Sequence, residues 1–240
     1  MEKYYFENEW KEGVLLMKED RSAVLALGGE EMEICCPETV RGNVSGWGMP
    51  CLALESEYSK NGKYEAMAFS LDHPCRENKD WICINPVIIE DALEYFLSNH
   101  YMEEMVSGCM RGRAGGRGRT GPDFISGDAW IETNVPDAIL NAAGDGWIQA
   151  RSLIVAAEKA ARFKKMISGM ESENKRFILL TAFQHGLNDR MEGFLCRELS
   201  RFFGADLQEN TEFWATDLRL EPDGITLLSY QNVTGRVMVE

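Results

Sequence analysis

Apolar residues follow two rhythms along this chain. Through residue 84 they fall in short runs at Gly13–Met17, Ser22–Leu27, Met32–Cys36, Pro50–Leu54, Met67–Leu71 and Trp81–Ile84. Turn-forming residues interrupt them at Leu27-Gly28-Gly29-Glu30, Gly42 through Gly48, Lys60-Asn61-Gly62-Lys63 and His73-Pro74. A helical period is missing throughout. Short strands separated by tight turns predict a small β-barrel of the OB-fold kind over residues 1–84.

At Asn85-Pro86 the period changes. An Asn can cap the free N–H groups of a helix start, and a Pro fits the first helical position. Ile89, Ala92, Leu93, Phe96 and Leu97 then make one apolar stripe at helical spacing. Arg111 to Arg119 alternates Arg with Gly and suits neither a helix nor a buried strand. Two β-like runs follow, Pro122–Ser126 and Ala129–Thr133, joined by Gly127-Asp128. A second helix is expected from Gln149 to Gly169, with Leu153, Ala157, Ala160, Ala161 and Ile167 inward. Arg176–Phe183 is nearly all apolar, as a strand covered on both faces of a parallel sheet should be. Asn188 or Asp189 opens a third helix carrying Phe194, Leu195, Leu199, Phe202 and Phe203, stopped at Gly204. Glu212–Leu220 and Ile225–Tyr230 alternate like paired strands around Glu221-Pro222-Asp223-Gly224. The expected fold class is mixed α/β: the barrel over 1–84, then an α/β domain over 85–240.

Composition narrows the setting. A chain of 240 residues, 45% hydrophobic, can bury two modest cores. No apolar run nears the roughly 18 residues that span a bilayer, so no membrane partner is expected. The start, Met1-Glu2-Lys3-Tyr4-Tyr5, lacks the apolar stretch of a secretory signal. Seven cysteines without a C-x-x-C pair argue against a disulfide framework or zinc finger, and a reducing cytoplasm is the expected compartment. Three scattered histidines give zinc no foothold. His185 draws notice because it ends the buried strand, where α/β sites often form. The net charge is −14. Residues 1–100 hold 9 basic and 19 acidic side chains, so the barrel half carries most of the excess. Such a field opposes general binding of phosphate backbones but leaves room for a local basic groove.

Candidate chemistry centres on Asp123, at the start of the first short strand, and Glu132, within the next strand of the expected hairpin. Two carboxylates on adjacent strands can converge on one hard divalent cation, Mg²⁺ or Mn²⁺, and such an ion supports phosphodiester hydrolysis. The alternative is a pair of solvated turn carboxylates. Arg111, Arg113, Arg117 and Arg119 form the basic cluster. Their guanidinium groups can close on phosphates from an adaptable glycine backbone, or form a solvated tether. Trp10, Trp47 and Trp81 are either stacking platforms or core residues. Neither a Gly-Lys-Ser/Thr phosphate loop nor a Gly-x-Ser-x-Gly elbow is present.

The order of several short motifs resembles the sugar fermentation stimulation protein A family. They are Cys36-Pro37-Glu38-Thr39, Trp81-Ile82-Cys83-Ile84-Asn85, Pro122-Asp123-Phe124-Ile125, Trp130-Ile131-Glu132-Thr133-Asn134, Phe177 through His185, and Asp217-Leu218-Arg219-Leu220. The resemblance runs from about residue 10 to residue 230. It implies an OB-fold followed by a nuclease-like domain of the PD-(D/E)xK type, with DNA or RNA as partner and Asp123 and Glu132 as metal ligands. Asn134 stands where the family carries the motif lysine. An amide has no titratable proton, so its presence there predicts weakened or lost catalysis. The acidic residue expected ahead of Asp123 is missing from Arg111–Gly121, with Glu103 or Glu104 as substitutes. Lys159 reads as a solvated helix charge, its alternative being a migrated lysine. Three readings stay open: a Mg²⁺-dependent nuclease, a catalytically silent DNA- or RNA-binding relative, and an acidic protein-interaction module. Whether the chain forms a homo-oligomer is equally open.

Overall fold

A computed structural model describes residues 1–19, 22–37, 40, 44, 46–55, 64–112, 121–136, 155, 157–168, 175–184, 187–204 and 209–237. It is a mixed α/β structure, rich in strands, made of a closed five-strand barrel and a curled seven-strand sheet.

The barrel comprises β2 (Lys11–Met17), β3 (Ala23–Leu27), β4 (Glu30–Cys35), β5 (Met49–Glu55) and β6 (Tyr64–Phe69). β2 pairs antiparallel with β3 and with β5, β3 with β4, and β5 with β6. A short parallel pairing of β4 with β6, Ile34 opposite Tyr64, closes the ring. Leu15, Leu25, Cys51, Ala53 and Phe69 fill its interior at full burial. Gly48 turns the chain into β5 at φ +85, where a Cβ would press on Val14 and on the Leu15 carbonyl, so only glycine fits. β7 (Ile82–Cys83) extends the wall beside β6 and leads out of the barrel.

The large sheet runs β1-β13-β12-β11-β10-β9-β8. Its members are β1 (Glu2–Tyr5), β8 (Met110–Arg111), β9 (Phe124–Ile125), β10 (Ala129–Asn134), β11 (Arg176–Phe183), β12 (Thr211–Glu221) and β13 (Gly224–Asn232). The three central strands β10, β11 and β12 are parallel, and the flanking pairs are antiparallel. β1 belongs here rather than to the barrel: Glu2–Tyr5 pair antiparallel with Gly224–Leu227. Lys3 fastens that edge through ion pairs to Glu221 (2.7 Å) and Asp223 (2.6 Å).

Helix α1 (Pro86–Ser98) begins as its sequence dictates, with the Asn85 side chain accepting from the Val87 N–H and Pro86 in the first turn. Ile89, Ala92, Leu93, Phe96 and Leu97 are its buried face. They pack with Ile131, Ile178, Leu180 and Leu218 of the sheet and with Trp10, Leu52 and Met67 of the barrel segment in one continuous core. Helices α2 (Ala157–Ser168) and α3 (Asp189–Phe203) cover the opposite face, where Phe163, Leu195 and Leu199 meet Phe177, Leu179 and Phe213. A short C-terminal turn, α4 (Thr234–Val237), joins that layer.

One helix expectation needs correction. Ala161 is exposed, because the buried stripe of α2 runs through Ala160, Phe163, Met166 and Ile167, a period that turns Ala161 outward. Phe194 and Phe202 are only partly buried, covered by Arg197 and Arg201 guanidinium groups 4.4 and 4.7 Å from their rings. Residues 149–154, including Leu153, lie outside the described residues. Among the described residues no helix is long and apolar enough to cross a membrane.

Candidate metal and phosphate site

Asp123 enters the site from the residue before β9. Its main chain is fixed from behind, since the Gly112 N–H donates to the Asp123 carbonyl at 2.7 Å. A Cβ on Gly112 would collide with the Pro122 carbonyl, so the close approach of these segments depends on glycine. The Asp123 side chain is fixed from the front. Thr133 donates twice to Oδ2, from its backbone N at 2.9 Å and from Oγ1 at 2.8 Å.

Glu132 lies one residue earlier on β10, on the face it shares with Trp130 by strand alternation, toward α2. It is fully buried. Lys159 and Arg162, three positions apart on α2, occupy one face of that helix and reach both acids. Lys159 Nζ is 3.4 Å from Asp123 Oδ2 and 3.4 Å from Glu132 Oε1. Arg162 Nη2 donates to Asp123 Oδ1 at 3.1 Å and to the Gly121 carbonyl at 2.7 Å. Its Nε lies 3.2 Å from Glu132 Oε1, an ion-pair separation in which the N–H does not point at the oxygen. Glu132 Oε2 is buried and has no hydrogen-bond partner. The two acids nine positions apart therefore meet on shared cations.

The site splits their titration. Burial pushes the Glu132 carboxyl up to about 7, with the Asp123 charge acting in the same direction and Lys159 and Arg162 only partly offsetting both. Burial also acts on Asp123, but Lys159, the two Thr133 hydrogen bonds and Arg162 outweigh it and hold that carboxyl below the ordinary range. One acid is poised to exchange a proton near neutrality while its neighbour stays ionised.

A third carboxylate borders the pair. Glu90, half-buried on α1, is raised by burial and also feels the charges of Lys159 and Asp123. Glu103 and Glu104, the expected substitutes, are exposed, and Glu103 faces His100 instead. Sequence reasoning missed Glu90 because it sits between stripe residues of an amphipathic helix and looks like an ordinary surface charge. Asn134 is buried on β10 and donates from Nδ2 to Thr181 Oγ1 at 3.3 Å, an interior strand-to-strand contact. Lys159 is three-quarters buried on the two acids, so its reading as a solvated helix charge is corrected.

Of the four arginines, Arg111 is described, and Arg113, Arg117 and Arg119 lie outside the described residues, as does His185. Arg111 is exposed and pairs at the surface with Asp91 at 2.7 Å and Glu94 at 3.2 Å on α1. Arg76, Lys79, Asp80 and Arg219 border a cleft of about 420 Å³ between the barrel and the sheet, where Arg76 pairs with Asp72 and Asp80 and Lys79 with Glu12. Trp10 and Trp81 are core residues, whereas Trp47 is 68% exposed beside His73.

The donor set can be tested against a hard cation. Two carboxylates meeting at one ammonium, with a buried and unpartnered oxygen on Glu132, fit a divalent ion. Among the described residues no group of three His, Cys, Asp or Glu side chains gathers, so main-chain and water oxygens would complete the shell. Comparison with protein-family models, with curated proteins and with solved structures finds no match.

Proposed function

We propose that this chain is a divergent nuclease-like protein of the kind its motifs resemble, a Mg²⁺- or Mn²⁺-dependent phosphodiesterase acting on DNA or RNA. One observation carries the reading: Lys159 bridges Asp123 and Glu132, so a lysine on α2 stands in for the one replaced by Asn134. The barrel adds support. Its strand order, with β2 between β3 and β5 and the parallel β4–β6 closure, is consistent with an OB-fold, a frequent carrier of nucleic acid.

Asp123 and Glu132 would hold the cation, which when bound polarises a phosphoryl group and acidifies a coordinated water. Asp123 is kept ionised for that role by Lys159 and Thr133. Lys159 itself sits where an ammonium can orient an attacking water and offset charge developing on the phosphoryl oxygens. Asn134 donates to Thr181 on the neighbouring strand, and its amide has no charge or titratable proton to offer the reaction.

The test is cleavage of single- and double-stranded DNA and RNA with Mg²⁺ or Mn²⁺ by the purified chain. Lys159→Met should slow cleavage by about 10²–10⁴, the span of general acid–base assistance. Equal cleavage by Asp123→Ala overturns the reading. A second reading, a silent nucleic-acid binder, is favoured by the pairing of both acids with two side-chain cations. Salt-dependent binding without cleavage under either metal would establish it.

A further inference from the structure

Arg162 raises a question that the hydrolytic reading leaves unanswered. Its guanidinium already spans the acids, bonded to Asp123 Oδ1 and paired with Glu132 Oε1. A divalent ion that bridges those carboxylates must compete with a charge already there. The arginine is nevertheless only lightly held. About a third of its side chain is exposed, its shortest contact is to the neutral Gly121 carbonyl at 2.7 Å, and its Nε makes no hydrogen bond. Lys159 is more enclosed, with 26% of its side chain exposed. Of the two cations, Arg162 can leave with less rearrangement.

A guanidinium is the side chain best shaped to trade a carboxylate for a phosphate, because both accept its planar fork of N–H donors. We propose that Arg162 is an internal plug in the cation position, and that a nucleic-acid phosphate draws it away and so loads the metal. This rests on the assignment of Asp123 and Glu132 as metal ligands. Without nucleic acid, Arg162 offsets the charge of the acids and keeps adventitious divalent ions out. With a phosphodiester at the site, the guanidinium moves onto the phosphate, Asp123 Oδ1 and Glu132 Oε1 are released, and the ion takes their charge. Metal and nucleic acid then bind with positive coupling, and by reciprocity each strengthens the other by the same factor. Arg162 is thus a positioning residue before it touches substrate, and a phosphate ligand afterwards.

Mn²⁺ binding, followed by electron paramagnetic resonance of the free ion, tests the idea without any turnover. A short phosphorothioate DNA oligonucleotide supplies the phosphates. The same titration with Asp123→Ala subtracts ions held by the oligonucleotide itself. In the wild-type chain the oligonucleotide should tighten Mn²⁺ binding about tenfold or more, and Mn²⁺ should tighten oligonucleotide binding equally. Arg162→Met should bind Mn²⁺ about tenfold more tightly than wild type with no oligonucleotide present, and the coupling should vanish. Unchanged or weaker Mn²⁺ binding by a folded Arg162→Met overturns the plug. So does an oligonucleotide without effect on wild-type Mn²⁺ affinity, an outcome that needs no variant to fold. Mn²⁺ bound as tightly by Asp123→Ala and by Glu132→Gln as by wild type instead removes the metal assignment underneath.

Discussion

The side-chain amide of Gln184 pairs with the backbone of Cys83 across 101 positions of sequence. Gln184 Oε1 accepts from the Cys83 N–H at 2.7 Å, and Nε2 donates to the Cys83 carbonyl at 3.2 Å. Both residues are buried. The last strand of the barrel wall is thereby tied to the end of β11 by a side chain that imitates a strand partner.

Gln184→Leu should expose the value of that tie. The substitution leaves a buried N–H and C=O of Cys83 without partners, a loss of about 1–3 kcal/mol. Urea unfolding followed by tryptophan fluorescence should show a lower midpoint. A midpoint unchanged within error would mean that water replaces the amide and the junction is wet.

The raised Glu132 carboxyl sets a pH dependence of stability. Its folded value is about 7 against an ordinary 4.5. Across that window the folded chain retains a proton that the unfolded chain has released, so stability falls as pH rises and is greatest below the window. Asp123 acts oppositely, its lowered value giving stability that is present at neutral pH and lost on acidification. Glu132→Gln should therefore gain on wild type between pH 5 and pH 8 by up to about 3 kcal/mol. A difference between the two that stays constant across that range would show that Glu132 titrates normally.

Gly112→Ala should damage the site from outside it. A methyl group there meets the Pro122 carbonyl, and the shift passes directly to Asp123, whose carbonyl Gly112 holds. The expected result is a chain that folds with a stability loss of about 1–3 kcal/mol and binds Mn²⁺ more weakly than wild type. Mn²⁺ affinity equal to wild type would show that Asp123 is positioned by Thr133 alone.

Arg111 should contribute little to nucleic-acid binding, being held by Asp91 and Glu94. If Arg113, Arg117 and Arg119 each neutralise a phosphate of double-stranded DNA, the log–log salt slope should be about −2.7 rather than the roughly −3.6 of four contacts. Arg111→Ala should leave it unchanged. A slope made shallower by about 1 in that variant would place Arg111 on the backbone after all.

The face of α1 was legible because five apolar residues at helical spacing admit one solution, and Asn85-Pro86 marks its start. β11 was legible because a nearly unbroken apolar run of eight residues suits a strand covered on both sides. The barrel strands were legible from their turns. β1 was not, since Glu2–Tyr5 form an edge strand with a single neighbour and no alternation to declare it. Asp123 and Glu132 could be singled out as carboxylates on one hairpin. Lys159 could be noted only as an alternative to a solvated charge, and Arg162 and Glu90 not at all, because a charge facing a buried acid and a charge facing water occupy identical places in a helical pattern.

The pairing of Glu2–Tyr5 with Gly224–Leu227 also bears on how the protein is made. Synthesis runs from the N-terminus, so residues 11–69 can close their ring while the ribosome is still decoding the rest. Glu2–Tyr5 has to wait, unpaired, for a partner strand more than 200 residues further along the chain. Completion of the large sheet therefore waits on translation of Gly224–Leu227, and its β1 edge is the part that must close the longest loop.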